Sequence, residues 1–263
     1  MTVNEPMKPL ARSVAPSVPT AQPSPRAASP GAPIASVAHF IGFLLIGAGI
    51  AALGFMAQHA RSAGGAASGQ LASHSQALQV YFVAIFMDWA LLYYCWAGVH
   101  RRGGTIGTLS GERWRSATDL LTDLAIALPF WLLWEGTALC VHRLLGPNTA
   151  KAVDSLLPHT LVEVLVWTAT CITAGVCEEL AFRGYVQRQL RAFTGSTALA
   201  VAGQGLVFGL FHLYQGWKNA VVISVLGTLY GVLAAWRRNL RVNIISHAWS
   251  DFWEGWLKFL VWR

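Results

Sequence analysis

From residue 37 onward the chain alternates long apolar runs with short polar or basic breaks. Each run is near the ~20 residues that a helix needs to cross a bilayer. Seven such runs fall at about 37–58, 77–99, 117–141, 160–178, 197–214, 220–236 and 242–261. They are continuous and lack the two-residue alternation of a membrane barrel strand, so the pattern predicts an all-α, polytopic transmembrane bundle of about seven spans. Residues 1–35 differ: rich in Pro, Ala and Ser and poor in large apolar side chains, they predict a disordered tail. A signal peptide is not expected, because the first long apolar run begins too far in and further spans follow. The chain therefore divides into a tail (1–35), N-terminal membrane helices (36–158) and a C-terminal membrane core (159–263).

Composition strengthens this picture. Hydrophobic residues make up 54% and charged residues 12% of the 263, against roughly 25% charged in a soluble domain. The formal charge of +7 would suit nucleic acid. However, the Lys and Arg residues fall in short clusters between apolar runs and no nucleic-acid motif accompanies them, so that partner is excluded. With the N-terminus in the cytoplasm, thirteen of the 19 Lys and Arg residues lie on inner segments, among them Arg101, Arg102, Arg113, Arg115, Arg183, Arg188 and Arg191. That orientation is predicted for an integral protein of a bacterial plasma (inner) membrane. Cys95, Cys140, Cys171 and Cys177 lack metal or redox spacing and read as buried small hydrophobes.

Ionisable side chains at membrane depth usually face a cavity or a partner, and most of them lie in the last ninety residues. They form three patterns: Glu178, Glu179 and Arg183 in "EELAFR"; Phe208 and His212 in "FGLFH"; His247 and Asp251 in "HAWSD". Residues four apart share a helix face while neighbours diverge by about 100°. Glu179 can therefore pair with Arg183, and Glu178 points elsewhere. Converging, these groups could activate water, with a carboxylate as general base and an imidazole donating to an oxyanion. Other readings stand beside this one. The Glu–Arg pair suits an interfacial salt bridge, a histidine in a span suits an interhelical hydrogen bond, and His247 with Asp251 suits a transporter's proton relay. Glu178, His212 and His247 could hold a divalent metal such as zinc, although no HExxH spacing supports it. A non-catalytic immunity or interaction protein is the remaining alternative.

Lesser candidates are Asp88, alone in the second run; Asp119, Asp123 and Glu135 in or near the third; and Glu163 at the start of the fourth. Asp119 and Asp123, one turn apart, predict a solvated or salt-bridged boundary. Trp249 and Trp253 are spaced to line one face, with packing the expected role. Two small-residue pairs, Gly205 with Gly209 and Gly227 with Gly231, would let two helix backbones approach closely.

The order and type of the three polar patterns resemble the CPBP family of intramembrane proteases, which includes CAAX prenyl endopeptidases of the Ras-converting-enzyme type and Abi-like proteins. The resemblance covers about residues 160–255 and rests on Glu178, Glu179 and Arg183, then Phe208 and His212, then His247 and Asp251. It implies a helical catalytic core around a cytosol-facing cavity and an endopeptidase acting on a membrane-anchored protein or peptide. It also implies that Glu178 and His212 activate the water while His247 and Asp251 stabilise the oxyanion or position the carbonyl. The chain departs from the prenyl endopeptidases in having Asp251 where they typically carry Asn, and nothing in it identifies a prenylated substrate. One conflict remains: with Glu178 near the inner end of its span, His212 would lie roughly 20 Å deeper. On straight spanning helices the two would not touch.

Overall fold

A computed structural model describes residues 32–63, 71–111, 114–146 and 157–261, and most of the predicted N-terminal tail lies outside them. Every described element is helical: α1 (Val37–Ala63), α2 (Leu71–His100), α3 (Ile106–Ser110), α4 (Ala117–Leu145), α5 (Leu161–Glu178), a π-helical segment (Glu179–Val186), α6 (Gln187–Thr194), α7 (Thr197–Phe211), a 3-10 turn (Leu213–Gln215), α8 (Trp217–Arg237) and α9 (Arg241–Val261). Among the described residues five spans are long and apolar enough to cross a membrane: Val37–Met56, Gln76–His100, Ala117–Leu145, Leu161–Thr194 and Trp217–Arg237.

The predicted count of seven is thus not confirmed by length and composition, for two physical reasons. The fifth run forms only the 15-residue α7, roughly 22 Å long at 1.5 Å per residue, short of the ~30 Å hydrocarbon layer. The seventh forms α9, whose apolar surface is interrupted by Arg241, Asn243, His247, Asp251 and Glu254. The fourth run, conversely, does not stop at residue 178. It continues through the π segment into α6, a 34-residue helical stretch. Its polar second half passes for a loop in the sequence, yet Arg183, Gln187 and Gln189 are all buried there. Arg183 is therefore not a loop charge.

Local signals fix where α5 and α6 begin and end. Thr160 and Glu163 form a capping box, Glu163 Oε2 accepting from the amides of His159 (2.7 Å) and Thr160 (3.1 Å). α6 stops at Gly195 in the left-handed region, φ 68°. The buried Gln189 ties down the segment preceding α1: its Oε1 accepts from the amides of Ile34 and Ala35 (3.0 and 3.1 Å), and its Nε2 donates to Ala35 O (2.9 Å).

The predicted close approach of α7 and α8 is present. A Cβ on Gly205 would sit 2.3 Å from Thr228 Oγ1, one on Gly209 2.4 Å from Ala220 O, and one on Gly227 3.2 Å from Gly205 Cα. Asp123, fully buried on α4, takes Arg237 Nη2, Arg241 Nε and Trp114 Nε1, each at 2.8 Å, and so binds α4 to the ends of α8 and α9. The salt-bridged reading of Asp123 holds, but inside the protein and not at a solvated boundary. Asp119 serves the start of α4, its Oδ2 accepting from Arg115 N at 2.9 Å. Of the cysteines, Cys95, Cys171 and Cys177 are buried as expected, whereas Cys140 is exposed on α4.

Candidate active site

The "EELAFR" motif lies halfway along the 34-residue stretch, at the change from α to π geometry. A π segment carries an extra residue per turn and turns the following side chains to a new bearing; such segments are frequent at functional sites. All eight residues of this one, Glu179 to Val186, are buried. Gly184 allows it to lie against α3, since a Cβ there would meet Leu109 O at 3.0 Å. Glu178 is thus roughly 25 Å from the start of its helix at 1.5 Å per residue, and the helical stretch continues beyond it to Thr194.

His212 reaches Glu178 because α7 does not run on as a straight spanning helix. α7 ends at Phe211, and His212 (φ −96°, ψ 10°) opens the 3-10 turn, closed by Gln215 N to His212 O (2.9 Å) and Gly216 N to Leu213 O (3.0 Å). Such a break of the α-helix inside a membrane bundle is tolerated where protein shields it from lipid. α1 supplies part of that shield: a Cβ on Gly47 would fall 1.7 Å from Phe211 Cζ, and one on Gly54 2.9 Å from Tyr214 Cβ. The turn brings His212 within electrostatic reach of Glu178.

The two glutamates have unlike surroundings. Glu179, fully buried, accepts from Arg183 Nη1 (2.9 Å), from His247 Nδ1 (2.8 Å) and from Asn243 Nδ2 (3.0 Å). Arg183 is held in turn by Gly227 O (3.2 Å) and lies over the rings of Phe208 (4.4 Å) and Tyr230 (5.1 Å). Glu178 makes no such set of bonds. Its nearest ionic partner among the described residues is His247 Nε2, at 3.7 Å, and its side chain is 17% exposed. A carboxylate paired with a guanidinium only accepts, so the hydrogen between His247 and Glu179 belongs to Nδ1. His247 Nε2 is left facing Glu178 and Asp251 Oδ2, each at 3.7 Å. The same reasoning applies to His212, whose Nδ1 lies 2.8 Å from Phe208 O: a carbonyl only accepts, so Nδ1 carries the hydrogen and Nε2 is free.

Glu178, Glu179, Arg183, Phe208, His247 and Asp251 are therefore brought together, with His212 beside them. The reading of Glu179–Arg183 as an interfacial salt bridge is overturned, because both side chains are fully buried. Asn243 and Tyr230 were missed. Asn243 shares a face of α9 with His247 and Asp251 at four-residue steps, a spacing visible in "RVNIISHAWSD". Tyr230, stacked on His247 at 5.3 Å, carries no sequence signal beyond its aromatic type. Trp249 and Trp253 pack on Trp131 of α4 as expected, at 6.1 and 5.9 Å. No group of three His, Cys, Asp or Glu side chains among the described residues is arranged to hold a metal ion. The set Glu178, His212 and His247 does not fit zinc as placed, and no step is derived through one.

Fold and site together define an all-helical integral membrane protein with a carboxylate–imidazole cluster buried in its bundle. Residues 160–253 match the model of the family described as type II CAAX prenyl endopeptidase, Rce1-like, the group that the three motifs resemble. No curated protein and no solved structure matches the chain.

Proposed function

We propose that the protein is an intramembrane endopeptidase that hydrolyses a peptide bond of a membrane-anchored protein or peptide, using water activated at Glu178. The observation that carries this reading is the division of labour between the two glutamates: Glu179 is saturated by three donors, while Glu178 is left open beside two imidazoles. The family match over 160–253 supports protease activity at a coarse level and, with its CAAX substrates, a prenyl group as the membrane anchor.

Glu178 takes a proton from water as the oxygen attacks the carbonyl carbon, and returns it to the amine as the C–N bond breaks. Glu179 fixes the ring plane and tautomer of His247, so that Nε2, once protonated, donates to the oxyanion. Asp251, an acceptor only when ionised, cannot take the oxyanion-donating part of an Asn in that form; it orients His247. His212, with Nδ1 donating to Phe208 O, presents the Nε2 lone pair to accept from the water. The N-terminus is cytoplasmic in this reading and the cavity opens to the cytosol, in a bacterial plasma membrane. Cleavage of lipid-anchored peptides by purified protein in nanodiscs tests the proposal: Glu178→Ala should abolish product, and equal rates in the two proteins contradict it.

A further inference from the structure

Asp88 lies on α2, outside the segment that matches the family model. Ala77, Tyr81, Leu92, Cys95 and Val99 are buried, and their three-, four- and seven-residue steps mark the face of α2 that turns into the bundle. Asp88 falls on that face, seven residues after Tyr81 and four before Leu92. Two contacts fix its depth. Tyr81 meets Trp167 of α5, ring centroids 5.5 Å apart, while Leu92 and Cys95 pack in one core with Leu180 and Ala181. Residue numbers rise together along the two helices, so Asp88 stands level with the turn of α5 that leads into Glu178. In keeping with that register, it lies within electrostatic reach of Cys177, Glu178, His247 and Asp251.

The charge inventory around it is one-sided. Arg183 is engaged by Glu179. Among the described residues no lysine or arginine pairs with Asp88, Glu178 or Asp251; the basic groups facing them are the imidazoles of His247 and His212. Glu178 is assigned to the water and Asp251 touches His247, whereas Asp88 is in no ion pair among the described residues. A half-buried carboxylate level with the reacting group and without a cation of its own favours a ligand that brings one.

Resting on the proposed hydrolysis at Glu178, we propose that Asp88 is a specificity-determining residue that receives a basic side chain of the substrate, lysine or arginine, close to the scissile bond. The inward face of α2 then contributes selection while the α5–α9 core contributes the chemistry.

The test uses full-length protein in nanodiscs and a set of lipid-anchored peptides in which one Lys, or its neutral isostere norleucine, is walked along the sequence. Two readouts are taken: kcat/KM with Asp88 and with Asp88→Asn, and binding to the Glu178→Gln protein with and without Asp88→Asn. At one position the Lys peptide should exceed its neutral twin by about tenfold in both readouts, and Asp88→Asn should bring that ratio close to one. If Asp88 only supports the fold, the variant lowers both peptides alike and the ratio stays, which overturns the proposal; so does a wild-type protein with no Lys preference at any position. The binding arm separates the two readings. Lys-selective binding lost in Asp88→Asn without cleavage of any peptide would sink the hydrolase and keep the cation site, and cleavage without selectivity would do the reverse.

Discussion

α9 borders two buried carboxylate clusters, one around Asp123 of α4 and one around Glu178 and Glu179, and they are built on opposite plans. At its start Asp123 receives two arginines and an indole N–H, every contact at 2.8 Å. Halfway along, Glu179 is saturated in the same manner, but Glu178 beside it approaches His247 only at 3.7 Å. A charge taken out of water is tolerated when its lone pairs are filled. Where they are filled the group holds the structure, and where they are left open the group is available to a substrate.

Breaking a saturated partner should have the largest effect on stability. Asp123→Ala, which strands Arg237 and Arg241, and Glu179→Ala, which strands Arg183, are each expected to cost about 3–5 kcal/mol, read as thermal unfolding in detergent. The two should separate in function: the folded fraction of Asp123→Ala still cleaves, and Glu179→Ala, having lost the orientation of His247, does not. Equal residual activities would erase the distinction between the clusters. Next in size is the support beneath His212. Gly47→Ala forces the Phe211 ring aside, at an expected cost of about 1–3 kcal/mol, and should lower kcat more than it raises KM because His212 follows directly. Trimming the ring with Phe211→Leu in the same protein should restore part of the loss. Asn243→Ala removes one of the three donors to Glu179 and should cost about 1–3 kcal/mol with partial loss of turnover. The smallest change is expected for Asp251→Asn, within about tenfold of wild type, because an amide can still hydrogen-bond His247.

Much of this contrast was legible in the sequence, and what was not has identifiable causes. The three polar motifs, the shared face of His247 and Asp251 and the glycine contact of α7 with α8 follow from four-residue spacing, which a helix enforces. The π segment does not follow, since "ELAFRGYV" has nothing that distinguishes five-residue from four-residue bonding. Missing it also misplaced the end of the fourth span, because Arg183, Gln187 and Gln189 look like loop residues until tertiary partners bury them. The end of α7 at Phe211 is likewise unmarked, and a straight helix through His212 would keep it out of reach of Glu178. Asn243 was readable from its register with His247. The place of Asp88 was not, because it depends on how α2 lies against α5.

The most direct measurement compares Glu178→Gln with Glu179→Gln in one preparation, each assayed for peptide cleavage and for thermal unfolding. The account predicts that Glu178→Gln lowers turnover by about 10²–10⁴-fold while unfolding with the wild type, and that Glu179→Gln unfolds at a clearly lower temperature. A Glu178→Gln protein that still turns over, or one destabilised as much as Glu179→Gln, would contradict the assignment of the open carboxylate to the water.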